Sequence, residues 1–164
     1  MAEDGPPERP LRTDGEGDDD GFDDEGFDSE GFDGDRHRIL REVVRELGRH
    51  PVVVDARGHP PSTFTAVRAT LAPERWGHDA SEATLRVTWR PLDPPEFAFH
   101  FSEPGFDCGW HREPNPHVDG EIHYQERADG GDYSYESVDL DGDTAVELVW
   151  EVTERLRERL DRRR

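Results

Sequence analysis

Between Thr84 and Ser102 apolar side chains return at every second position: Leu85, Val87 and Trp89, then a turn at Pro91, Pro94 and Pro95, then Phe97, Phe99 and Phe101. A period of two is that of a strand whose successive side chains point to opposite faces. The stretch therefore predicts a hairpin with one apolar and one polar face, and such a sheet needs cover on its apolar side. Helical spacing offers that cover twice. Ile39, Leu40, Val43, Val44 and Leu47 predict a helix from Arg36 that stops at Gly48 and Pro51. Ala145, Leu148, Val149, Val152, Leu156 and Leu160 predict a closing helix capped by Asp141 or Asp143. Further short strands are expected at 52–55, 64–71, 121–127 and 133–138, with turns at Gly58-His59-Pro60-Pro61 and Asp129-Gly130-Gly131-Asp132. The predicted fold is α+β, a mostly antiparallel sheet of five or six strands with an N-terminal and a C-terminal helix packed on one face.

The chain changes character near Asp35. Residues 1–35 hold 15 of the 40 acidic side chains but only Arg9 and Arg12 of the 20 cationic ones. A short unit recurs there as Gly21-Phe22-Asp23, Gly26-Phe27-Asp28 and Gly31-Phe32-Asp33, too brief and too glycine-rich to build a repeat architecture. This predicts a disordered acidic tail with Gly-Phe-Asp repeats over 1–35 and a single α+β domain over 36–164. All 20 cations are Arg and the net charge is -20, a balance that suits a halophilic chain. In concentrated salt self-repulsion is screened, the Debye length being about 3 Å at 1 M. The same screening removes the usual argument against a nucleic-acid partner. Cys108 is the single cysteine, so no internal disulfide can form. No run approaches the roughly 20 apolar residues of a membrane helix and no leader-like segment opens the chain. A cytoplasmic protein with no membrane contact is expected.

Reactive side chains concentrate between Phe106 and Gln125, where Cys108, His111, His117 and His123 follow at intervals of three, six and six. The Pro and Gly residues in this segment predict a loop held between two strands, a common place for functional groups. His100 lies on the polar face of the preceding strand, and Glu121, His123 and Gln125 share a face of the following one, so His100 and His123 are expected to approach each other. Three readings stay open. His111, His117 and His123, with His100 and Arg112, fit metal-independent RNA cleavage through the 2′-hydroxyl: one imidazole accepts a proton, another donates one, and Arg112 stabilises phosphate charge. Alternatively, Cys108-x-x-His111 with His117 and His123 has zinc-like spacing. In the third reading the imidazoles and Trp110 only satisfy hydrogen bonds in a long loop. Arg155, Arg157, Arg159 and Arg162 to Arg164 oppose the dipole at the end of the last helix or form a basic patch. The candidate binding residues are Trp110, Asn115, Gln125, Arg155 and Arg159. Dinucleotide, Walker-type, nucleophile-elbow and Cys-x-x-Cys motifs are absent.

A strand reading FHFS, a Trp-led GWHREPNPH, a later His on a polar strand, an acidic turn and an amphipathic helix resemble, in that order, the TumE family of toxins from toxin-antitoxin systems, over roughly 84–160. The family's Trp, Pro-His element and downstream His map onto Trp110, Pro116, His117 and His123, while its Asp-Asn after the Trp is His111-Arg112 here. The resemblance implies a small RNA-cleaving toxin without a cofactor, neutralised by a cognate antitoxin protein. The competing expectation is a non-catalytic interaction or regulatory protein working through the Phe-Asp repeats and the Arg-rich helix end.

Overall fold

The computed structural model describes residues 29–79 and 82–163. In chain order its elements are α1 (Ser29–Leu47), β1 (Val53–His59), β2 (Ala66–Leu71), a 3-10 turn (Pro73–Trp76), β3 (Ala83–Arg90), β4 (Glu96–Glu103), β5 (Phe106–Arg112), β6 (Ile122–Ala128), β7 (Ser134–Ser137) and α2 (Ala145–Arg162). Among the described residues the seven strands form one antiparallel sheet in strict sequence order. Each strand therefore pairs with its chain neighbours and every connection can be a turn or short loop.

The sheet has seven strands rather than five or six because 106–112 is a strand and not the start of a loop. Pro104-Gly105 makes the difference. Gly105 sits at φ 78 between paired Glu103 and Phe106, and Pro followed by a positive-φ Gly suits a tight reversal. Phe106, Cys108 and Trp110 then face one way and Asp107, Gly109 and His111 the other. β1 runs on to His59, and Phe64 lies outside β2 with its ring over Gly58, where an added Cβ would approach within 2.3 Å.

One sheet face is apolar and carries both helices. Val67, Leu85, Val87, Phe99, Phe101 and Cys108 are fully buried there, together with Leu40, Val43 and Leu47 of α1 and Val149, Val152 and Leu156 of α2. α1 packs on β1, β2, β3 and α2. α1 begins at Ser29, upstream of Arg36, so Gly31-Phe32-Asp33 is helical and not part of a tail. Ion pairs of Asp33 with Arg36 (2.7 Å) and Asp35 with Arg38 (2.9 Å), at helical spacing, support the turns that follow its start. The other two Gly-Phe-Asp units lie outside the described residues. The N-cap of α2 is Thr144 rather than Asp141 or Asp143: its hydroxyl accepts from Glu147 N while the Glu147 carboxylate accepts from Thr144 N, a complete capping box.

Candidate functional site

Among the described residues no helix packs on the opposite sheet face, and strand parity decides which side chains reach it. Register places Ala98, His111, His123 and Ser137 in one row across β4 to β7. A second row crosses the whole sheet: Arg57, Arg68, Arg86, His100, Gly109, Gln125 and Tyr135. Gly109 leaves a gap in it. A Cβ there would stand 2.6 Å from His111 Nε2 and 2.7 Å from the Phe99 carbonyl oxygen, so the imidazole of His111 leans back over the glycine. The His111 ring lies 5.2 Å from that of His123 and 6.1 Å from that of His100, centroid to centroid.

Each imidazole is held by a neighbour. His111 Nδ1 is 3.0 Å from Glu113 Oε1. A carboxylate only accepts, so Nδ1 carries a proton and the buried Nε2 is left without a hydrogen-bond partner among the described residues. His123 is fully buried, with Asn115 Nδ2 3.1 Å from its Nε2. Asn115 Oδ1 accepts from His117 N at 2.9 Å, which turns the amide nitrogen toward His123. His117 stacks on Tyr135 with ring centroids 5.0 Å apart. These contacts fold the 113–121 loop back over the His123 end of the open face. Burial, with His111 nearby, holds the His123 pKa below its ordinary 6.5, against the opposing pull of Glu113.

His100 Nε2 lies 3.5 Å from Asp107 Oδ1. Arg127 donates to Asp107 Oδ2 through Nε (3.0 Å) and Nη2 (2.7 Å), and Tyr133 donates to Oδ1. Burial would raise the Asp107 pKa, but the hydrogen bonds from Tyr133 and Arg127 outweigh it and hold this carboxyl below its ordinary value. Burial likewise lowers the pKa of His100, with Asp107 opposing and the charges of His111, Arg127 and Arg86 assisting. Beside His100 a cavity of about 250 Å³ opens on this face, lined by His59, Arg68, Thr84, Arg86 and Ser102 among others. Arg57 is paired with Asp55 at 2.6 Å, whereas Arg68 and Arg86 make no ion pair among the described residues.

Four of the expected site residues meet on this face, His100, His111, His123 and Gln125, with Asn115 above them and His117 at the rim. Arg112, Trp110, Arg155, Arg159 and Cys108 do not join them. Arg112 and Trp110 are chain neighbours of His111 and point to the other side. The Arg112 guanidinium lies over the Phe97 ring at 5.4 Å. Trp110 instead lines a cavity of about 390 Å³ with Tyr124, Glu136, Arg155, Arg159 and Arg162, between the sheet and α2. Arg159 is committed to Glu126 through two hydrogen bonds of 2.8 and 2.5 Å, and Arg155 to Glu151 at 2.7 Å. Cys108 is three positions from His111, an odd separation that puts the two on opposite faces of a strand. Burial pushes its thiol pKa up to about 12. The Cys108, His111, His117, His123 metal set is thereby excluded as four ligands to one ion.

Sequence reasoning missed Asp107, Glu113, Arg127, Tyr133, Tyr135 and the Arg68–Arg86 pair. The period-two pattern of 106–112 could have found Asp107, because it puts Asp107 on the His111 face. The others depend on register between strands that no local pattern fixes. Comparison with models of known families, with curated proteins and with solved structures finds no match to this chain.

Proposed function

We propose that the open sheet face is an acid–base site for cleaving an RNA phosphodiester, and that the protein is the toxin of a toxin-antitoxin pair, acting in the cytoplasm of a salt-rich cell. The observation that carries this reading is the cross-sheet row in which Arg68 and Arg86, without an ion pair among the described residues, lead directly to His100 and on to the His111–His123 pair. Two like charges directly opposite on neighbouring strands repel, and an anion bridging them relieves that repulsion. A backbone phosphate in the cavity beside His100 meets both guanidinium groups, the geometry in which Arg binds phosphate best.

The chemistry follows from the holders of each imidazole. His111, with its Nδ1 proton engaged by Glu113, offers Nε2 as acceptor for the 2′-hydroxyl proton when the ring swings out from over Gly109 and brings that buried nitrogen to the substrate. The 2′-oxygen attacks phosphorus, the bond from phosphorus to the 5′-oxygen breaks, and a 2′,3′-cyclic phosphate forms. The anionic phosphate, with Asp107, favours proton uptake by His100, and that imidazolium gives its proton to the departing 5′-oxygen, while Arg86 and Arg68 balance charge on the phosphoryl oxygens. His123, against His111, keeps that ring in place. A cognate antitoxin would act by covering this face.

The test is induction of the protein in a salt-tolerant host, followed by purification and RNA cleavage in molar salt. The wild type should arrest growth and leave cyclic phosphate at new 3′ ends. His111→Ala and His100→Ala should each slow cleavage by about 10²–10⁴-fold, the usual worth of one acid–base group. Wild-type protein that neither arrests growth nor cuts RNA sinks the proposal, as does cleavage that survives both substitutions.

A further inference from the structure

We infer that His111, Glu113 and His123 form a binding site for one divalent transition-metal ion of the zinc class. Among the described residues these three can each offer one ligand atom with all three atoms within 4.8 Å of one another. The sheet builds the site: His111 and His123 are directly paired across β5 and β6, and Glu113 follows the last residue of β5 with its carboxylate on His111 Nδ1. Two imidazoles and one carboxylate are a donor set that zinc takes with a fourth position left for water or a ligand.

The approach required is small. Bonds of about 2.0–2.1 Å in a tetrahedral arrangement place donor atoms about 3.3 Å apart, and His111 Nδ1 to Glu113 Oε1 is already 3.0 Å. Glu113 has its side chain half exposed, so it can close on an ion without moving the core. A second observation points the same way. Among the described residues His123 Nδ1 is a buried ring nitrogen without a hydrogen-bond partner, on a ring that is 0% exposed. Such an orphan costs free energy in an empty protein, and an ion that displaces its proton removes that cost. With an ion at Nδ1 the proton of His123 moves to Nε2, and Asn115, which now faces Nε2 through its amide nitrogen at 3.1 Å, turns its amide to accept from it, as partners of metal-bound imidazoles do.

The site stands whether or not the protein cleaves RNA. Where it does, an ion at His111 Nδ1 leaves the proton on Nε2, which can then no longer accept one, so zinc inhibits cleavage. The experiment is titration of the full-length protein with cobalt(II), read by its visible ligand-field absorption, then displacement by zinc followed by calorimetry. A single equivalent should produce intense bands typical of four-coordinate cobalt. Glu113→Gln, an exposed change with no bearing on the core, should weaken binding tenfold or more, and His123→Ala should abolish the bands, with folding of both checked by circular dichroism. Neutralising two acids of the α2 surface, Glu154→Gln and Glu158→Gln, should leave the bands unchanged. No bands, or bands indifferent to Glu113→Gln and His123→Ala, overturn the inference and leave only loose binding by an acidic chain. Cobalt binding without RNA cleavage sinks the enzyme reading alone, and cleavage without the bands sinks this one alone.

Discussion

A methyl group at position 109 would have to share space with His111 Nε2 at 2.6 Å and with the Phe99 carbonyl at 2.7 Å. The imidazole can swing away but the carbonyl belongs to a paired strand, so Gly109→Ala both displaces His111 and strains the β4–β5 ladder. Overpacking of this kind costs about 1–3 kcal/mol. Urea unfolding should show that loss, and any activity that depends on His111 should fall with it. Protonation is the second residue-scale lever. Burial is the leading cause that lowers the pKa values of His50, His100 and His123 from 6.5, so the unfolded chain takes up protons that the folded one resists. Stability is then full above pH 6.5 and declines as pH falls through the folded values. Asp107 and Glu126 act in a lower window, because their depressed pKa values make the loss begin only below 3.8 and 4.5. Melting temperature measured with a chelator present should drop from pH 8 to pH 5, and His100→Gln should flatten part of that slope. A melting temperature independent of pH in that range contradicts the assignment of neutral, buried imidazoles.

Strands and helices each divide their residues by period, and the division has functional weight. On β5 the sequence Cys108-Gly109-Trp110-His111 alternates between the two faces, so chemistry at His111 is separated from the thiol and the indole by the thickness of the sheet. α2 is anchored at its start by the Thr144–Glu147 box, and further by Glu151, whose carboxylate accepts from Asp141 N and Gly142 N at 2.9 Å each. Thr144→Ala removes the hydroxyl that satisfies Glu147 N and should cost about 0.5–2 kcal/mol. Chemical denaturation reads that cost directly. At its other end α2 is tied to the sheet by Arg159, whose guanidinium both grips Glu126 and lies 5.0 Å over the Tyr124 ring. That engagement is why the Arg-rich helix end is a structural feature on this side rather than a free basic patch.

For the molecule as a whole, a net charge of -20 coexists with a face where Arg68 and Arg86 oppose each other with no ion pair among the described residues. Salt affects the two in different ways. Screening contracts from about 10 Å at 0.1 M to about 3 Å at 1 M, which relieves the overall acidic repulsion, so the melting temperature should rise along a potassium chloride series. Arg68→Gln removes one side of the local repulsion. In the absence of RNA it should leave stability equal or raise it slightly, while weakening RNA binding and reducing the salt slope by about one counterion. A variant that binds RNA as the wild type does removes the Arg row from the function.

Much of this architecture was legible in the chain because it rests on local period. The alternation of Leu85, Val87, Trp89 and of Phe97, Phe99, Phe101, and the stripes of Leu40, Val43, Leu47 and of Leu148, Val149, Val152, Leu156, dictate which faces must be buried, since apolar surface is driven from water wherever it lies. His100 and His123 share a face for the same reason, but they do not meet as expected: β5 separates their strands and His111 stands between their rings. What the period of a single strand cannot reveal is register. Whether His111 meets His123, whether Arg68 meets Arg86 and then His100, and whether Asp107 receives Arg127 and Tyr133 depend on how neighbouring strands align, residue against residue. That alignment is set by turns such as Pro104-Gly105 and by the packing of the whole apolar face, so only the tertiary structure decided it.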